Sequence, residues 1–210
     1  MLNVIKEINN LKYEQDLYKN DIKLIAGVDE VGRGPLIGPV VASAVILPTN
    51  YQLEGLTDSK KITAKKREML YKVLMKDAIA IGIGVIDNET IDRINIYEAS
   101  KQAMIQAINN LKIKPEHVLI DAMKLNIDVP TTSIIKGDLL SISISAASVI
   151  AKVTRDKMMI DLHKRYPMYD FDKNKGYPTK KHCNAIKEHG VLKEHRKSYG
   201  PVADYIKNNS

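Results

Sequence analysis

The stretch IAGVDEVGRGPLIGPVV, residues 25–41, decides the fold. It ends one apolar strand, predicted over residues 23–28, and begins a second, predicted over 40–47. Between them lies a turn rich in Gly and Pro. Asp29 and Glu30 directly follow the first apolar run. Adjacent carboxylates at the edge of a core repel each other and are costly unless neutralised. A divalent cation with hard oxygen ligands removes that cost, and a solvated turn is the alternative. Successive strand side chains point to opposite faces, so the pair can share an ion only where the strand bends or ends. Gly27, Gly32 and Gly34 make a bend plausible there.

Gly32-Arg33-Gly34 is poor in Cβ atoms. Its amides could approach a sugar–phosphate backbone closely, with Arg33 adding charge. It lacks the Gly-Lys-Ser/Thr ending of a phosphate-binding P-loop and the spacing of a dinucleotide fingerprint.

Outward from this segment, helices and strands alternate. Thr63 can cap a helix over residues 64–76. Residues 78–86 read as a strand with weak points at Gly82 and Gly84. Asn88 can cap one long helix lined by Tyr97, Met104, Ile108 and Leu111. Residues 117–120 form a buried strand, and 132–136 form another. A long Ser/Ala-rich helix runs from Ser141 to about Arg165, and a final helix starts near Thr179. The class is an α/β layered domain. The N-terminal 20 residues predict an amphipathic helix through Val4, Ile8, Leu11 and Tyr18, without the apolar block of a signal peptide. Residues from about 160 to 210 read as a basic helical region that contacts the substrate.

The 210 residues suffice for one domain with a real core, which must rest on Ile, Leu, Val and Met because there is no Trp and one Phe. A net charge of +7 and a pI near 9.2 favour a polyanionic partner. Cys183 stands alone, which excludes an intrachain disulfide and a cysteine-based zinc site. The longest apolar stretch is too short to span a bilayer. A cytoplasmic monomer without membrane association is the expectation.

Two more acids sit in apolar frames: Asp121 at the end of HVLIDA and Asp138 in KGDLL. Four acids at element ends within a basic chain are what a metal-dependent nuclease needs.

At this point the sequence resembles a known family. DEVGRGPLIGPVVASAVIL is similar to the opening signature of ribonuclease HII, the type 2 ribonuclease H. GLTDSKKIT, IDA, KGD, SISAASVIAKVTRD, YPMYDFDKNKGYPTKKH and HRKSYGPV follow in the family's order, covering about residues 20–202. The resemblance implies a ribonuclease H-like fold, a central mixed sheet flanked by helices with a C-terminal helical region, in one domain over 1–210. It implies Asp29, Glu30, Asp121 and Asp138 as catalytic metal ligands for two Mn²⁺ or Mg²⁺ ions. It implies that Gly32, Arg33 and Gly34 read the ribose 2′-hydroxyl and that Tyr177 stacks on the sugar following the ribonucleotide. The expected substrates are RNA–DNA hybrids and duplex DNA holding single ribonucleotides, cut to leave 5′-phosphate and 3′-hydroxyl ends, as in ribonucleotide excision repair. Lys60, Lys61, Lys152 and Arg155 are candidate phosphate contacts. No protein partner is deducible. Asp170 stands where the family's Y-G-F motif carries Gly, and Asn174 where His is common.

Overall fold

The computed structural model describes residues 10–56, 59 and 62–209. The element order begins α1 (Lys12–Tyr18), β1 (Ile25–Val31), β2 (Val40–Ile46), α2 (Ala64–Asp77) and β3 (Ala80–Ile86). It continues with α3 (Asn88–Ile94), α4 (Ile96–Asn109), β4 (His117–Asp121), β5 (Thr131–Ile134), α5 (Gly137–Leu140) and α6 (Ile142–Arg165). A 3₁₀ turn (Pro167–Tyr169), α7 (Phe171–Asn174), α8 (Lys180–His189) and α9 (Gly200–Asn209) close it. Of the predicted N-terminal helix, Val4 and Ile8 lie outside the described residues.

The strands form one mixed sheet in the order β3-β2-β1-β4-β5. β1–β2 and β2–β3 are antiparallel, while β1–β4 and β4–β5 are parallel. Both faces of the sheet are covered. Ala26 and Val28 of β1 join Ala103, Met104 and Ala107 of α4 in one apolar layer. On the opposite face Val45 packs with Ala146, Val149 and Ile150 of α6. That two-sided burial explains why β1 and β2 read as continuous apolar runs.

Small residues let the helices come close. A Cβ on Gly27 would lie 2.0 Å from the carbonyl carbon of Ser143, so the α6 backbone rests directly on β1. Gly84 does the same for α4, where a Cβ would meet the Ala103 carbonyl at 1.9 Å. The glycines of β3 are therefore approach points for a helix. At its start α6 is fixed by the Ser141 cap on the Ile144 amide and by Glu14 of α1. The buried Glu14 carboxylate accepts from Ser141 Oγ at 2.6 Å and from the Ser143 amide at 3.1 Å.

Four expectations change. The helix predicted from Asn88 is two helices, broken at Asn95, whose φ of 68° leaves the helical region. Its side chain instead caps α4 through the amides of Tyr97 and Glu98. The C-terminal region holds α9 after α8, not one final helix. β5 ends at Ile134, and Ile135 is 77% exposed. β1 runs through Asp29 and Glu30 to Val31 without a bulge, because β2 stays in register as far as Val31↔Val41.

The glycine contact yields a test of opposite sign to strand propensity. Ala is the better residue in a strand interior by roughly 0.5–1 kcal/mol. Gly27→Ala should nevertheless lower unfolding free energy by about 2–3 kcal/mol, since the neighbour to be displaced is helix backbone. Chemical denaturation measures this, and an unchanged or raised midpoint would refute the close packing.

Candidate active site

Two of the four predicted acids lie side by side on neighbouring strands, and a third follows a residue bonded to one of them. Val28↔Ile120 is the last registered pair of β1 and β4, and Asp29 and Asp121 follow it side by side on parallel strands. Adjacent strands lie about 4.8 Å apart. Gly27 and Leu119, two residues earlier and also paired, face α6 through Ser143 and Ile144. By alternation Asp29 and Asp121 point to that same face. Asp138 stands next to Asp121 in the chain fold, at the start of α5, where the Gly137 amide donates to Asp121 Oδ1 at 2.8 Å. Asp29 and Asp138 are buried, at 4% and 9% exposure.

Glu30 has the other parity. It shares Val28's face, and its Oε1 stands 3.7 Å from Arg33 Nη1. The expected bend that would turn both acids to one face does not occur within β1. The β4 ladder ends before Glu30, so the strand edge beside it is open.

The donor set is all carboxylate oxygen, two members of it buried, which fits a hard divalent cation better than any other ligand class. Among the described residues no three His, Cys, Asp or Glu side chains form a ready metal-holding group. Like-charged carboxylates repel until a cation lies between them. The backbone therefore supplies placement, and a cation would supply convergence.

Beside the acids runs the Gly32–Pro39 loop. Gly32 has φ +100°, and a Cβ there would lie 2.3 Å from Arg155 Nε. Gly34 faces the ring of Tyr177, whose Cε1 would lie 3.3 Å from an added Cβ. The structure thus brings Tyr177, 40% exposed, onto the Gly-Arg-Gly segment across more than 140 residues of sequence.

Arg155 requires a correction. It is fully buried, and its guanidinium donates to the carbonyls of Pro39 (3.0 Å), Lys175 (2.9 Å) and Ile37 (3.1 Å). With its nitrogens held inside by carbonyls it is a strut of the loop, not a phosphate contact. Burial, aided by Arg196, lowers its pKa to about 10, which leaves it cationic at neutral pH. Lys152 is mostly buried and paired with Asp156 at 2.7 Å. Lys60 and Lys61 lie outside the described residues.

Sequence reading missed Arg196, also fully buried. Its guanidinium donates to the carbonyls of Gly32 (2.6 Å), Arg33 (3.0 Å) and Gly38 (3.0 Å). The Tyr199 hydroxyl donates to the Arg33 carbonyl as well, at 2.6 Å. The carbonyls of 32, 33, 37, 38 and 39 are thus turned inward onto two guanidinium groups. No backbone carbonyl among the described residues accepts from the amides of Arg33 or Gly34. The missed signal was physical: a Gly/Pro turn leaves carbonyls without a ladder, and donors must come from elsewhere.

The two unusual positions keep the loop in shape. Asp170 occupies the left-handed region, φ 61°, that Gly would take most easily, and Lys181 pairs with it at 2.9 Å. Asn174 donates to the Tyr169 carbonyl and accepts from the Gly176 amide, both at 2.7 Å.

Comparisons with known proteins agree with this geometry. The family model described as Ribonuclease HII matches residues 26–200. Ribonuclease HII of Bacillus cytotoxicus is 58% identical over 197 residues, covering 94% of this chain and 76% of its own. The crystal structure of ribonuclease H2 from Pyrococcus horikoshii superposes with a TM-score of 0.75 at 26% identity, covering 88% of this chain and 97% of that one. Bst-RNase HIII, solved in complex with Mn²⁺, superposes with a TM-score of 0.66 at 16% identity, covering 88% and 70%, and shows the shared fold.

Behind the loop, His182 and His195 are fully buried. Desolvation, and for His195 also the neighbouring His182, pushes both imidazoles down, His195 to about 3. Both are neutral in the fold and ionise near 6.5 when unfolded. Their contribution to stability is complete above pH 6.5, and that of His195 is lost as pH falls toward 3. His195 should contribute a slope of about 1.4 kcal/mol per pH unit in that window. Denaturation between pH 7 and 4 measures it. His195→Phe should flatten the slope, and an unaltered slope would show that His195 is protonated in the fold.

Proposed function

The chain belongs to the ribonuclease HII family, and on that premise we propose that Asp29, Glu30, Asp121 and Asp138 hold its divalent cations while the Gly32–Gly34 loop and Tyr177 recognise a ribonucleotide. Membership makes it a ribonuclease H endonuclease, metal-dependent and acting on the RNA of RNA–DNA hybrids. The finer reading is incision at a single ribonucleotide within duplex DNA, leaving 5′-phosphate and 3′-hydroxyl ends.

One observation supports it above the others. Asp29 lies beside Asp121, the last residue of β4, on the face that the Gly137-Asp138 segment adjoins, next to a loop with its carbonyls turned inward. A pair of bound cations, Mn²⁺ or Mg²⁺, supplies activation of a water and stabilisation of the leaving oxygen. The chain's own part is to orient. Gly137 fixes one oxygen of Asp121. Glu30 reaches the site over the strand edge that β4 leaves open.

The amides of Arg33 and Gly34 suit the 2′-hydroxyl, which both donates and accepts and is the group that distinguishes RNA from DNA. A side chain on Gly32 would collide with Arg155, and one on Gly34 would press on Tyr177. Tyr177, exposed and resting on Gly34, offers an aromatic face to the neighbouring sugar. Arg33, half-exposed and beside Glu30, and Lys152 are the proposed phosphate contacts, where each would screen the polyanion.

Three outcomes test the reading. A duplex with one ribonucleotide should be cut in Mn²⁺ or Mg²⁺ and left whole in EDTA, and an all-DNA duplex should remain intact. Asp121→Asn should lower that cutting at least about 100-fold, beyond the loss typical of groups that only support a ligand. Undiminished cutting would remove Asp121 from the ligand set. Tyr177→Ala should impair the lone-ribonucleotide duplex more than an all-RNA hybrid, and equal losses would remove Tyr177 from junction sensing.

A further inference from the structure

The Tyr177 backbone is held from beneath by two buried histidines. Leu192's amide lies 2.8 Å from His195 Nδ1. An amide N–H can only donate, so Nδ1 carries a lone pair and the neutral ring bears its proton on Nε2. His195 Nε2 lies 3.2 Å from His182 Nε2. His182 must accept there, which places its own proton on Nδ1. That nitrogen is 3.0 Å from the Tyr177 carbonyl oxygen. One amide thus sets two tautomers in turn, and the chain ends at the tyrosine.

Only this arrangement is consistent. Reversing the His182 ring's proton would set two N–H groups, or none, between the imidazoles and leave the Tyr177 carbonyl facing a lone pair. Packing keeps water away. The Phe171 ring meets His182 edge-on at 5.2 Å, and Tyr169 lies 5.7 Å from His195. Tyr177 is also fixed by its amide to the Asn174 carbonyl (2.9 Å) and by the Thr179 amide to its own carbonyl (2.8 Å).

We infer that His182 is a positioning residue for ribonucleotide recognition: it locks the Tyr177 backbone so that the ring lies on Gly34, and His195 sets the tautomer that makes the lock. The inference rests on the junction-sensing role proposed for Tyr177. His182 touches no substrate atom in it.

The full chain, labelled with ¹⁵N at histidine, gives the first readout. At neutral pH the ring nitrogens should show His182 protonated at Nδ1 and His195 at Nε2. The opposite tautomers, or a charged ring, would overturn the inference. The second readout is the ratio of cutting at a lone ribonucleotide to cutting of an all-RNA hybrid. His182→Leu should lower that ratio about five- to tenfold, the scale of one lost hydrogen bond. His182→Asn keeps a donor near the Nδ1 position and should restore most of it. A folded His182→Leu that leaves the ratio unchanged, or an Asn variant no better than Leu, would overturn the inference. Should the Leu variant fail to fold, the tautomers and the Asn variant still decide.

Tyr177→Ala, run beside them, separates the two ideas. If it moves the ratio while the His182 variants do not, only the lock fails. If it does not move the ratio, the junction-sensing reading fails and the lock falls with it.

Discussion

Helix α6 touches β1 with no side chain between them at Gly27, and the site is laid out by that contact. From Ser143, beside Gly27, to Arg155, beside Gly32, the helix advances about 18 Å. Over the same interval β1 advances about 17 Å. The two rises match, so helix and strand run alongside each other and both ends of the site are set together. At one end Asp138 and its short helix precede α6, next to Asp121. At the other, Arg155 enters under the Gly-rich loop. Ser43 on β2 adds a second tie, donating to the Ala147 carbonyl at 2.8 Å. A helix held off by even one methyl group would misplace acids and loop at once.

The loop itself is ordered by charge. Arg155 and Arg196 are buried together, and each loses part of its affinity for a proton to desolvation. Two like charges in a core are unfavourable unless hydrogen bonds satisfy them. Here at least six backbone carbonyls do so: Arg155 takes those of residues 37, 39 and 175, and Arg196 those of 32, 33 and 38. The consequence is directional. With the carbonyls of Gly32 and Arg33 bound inside, those two peptide planes turn the amides of Arg33 and Gly34 the other way.

How much of this could be read in the sequence depended on the range of the interaction. The acids were legible because each interrupts or follows an apolar run within a few residues. The mixed α/β layering was legible from periodicity. The break at Asn95 was not, since apolar residues continue in helical spacing on both sides of it. Continuation of β1 past Asp29 depends on β2, whose pairing is not encoded locally. Arg155 and Arg196 were harder still. Both lie in segments rich in Lys and Arg that read as solvated, and all but one of the carbonyls that bind them, that of Lys175, come from residues more than 100 positions away. Tyr177 was placed by family resemblance, whereas its contact with Gly34 required the fold.

α6 also polarises the region electrically. Its first-turn amides donate to Asn10, Glu14 and Ser141, and negative charge is favoured at a helix N-terminus. Glu14 accepts directly from the Ser143 amide and from the capping hydroxyl. His163, Lys164 and Arg165 occupy the last turn, where cations are favoured. The helix thus supports an acidic pocket at its start while the chain as a whole stays basic, at a net charge of +7. A nuclease faces two opposed demands, attraction of a polyanion and retention of a carboxylate cluster that repels it. Segregating the two along one helix axis lets a single packing contact satisfy both.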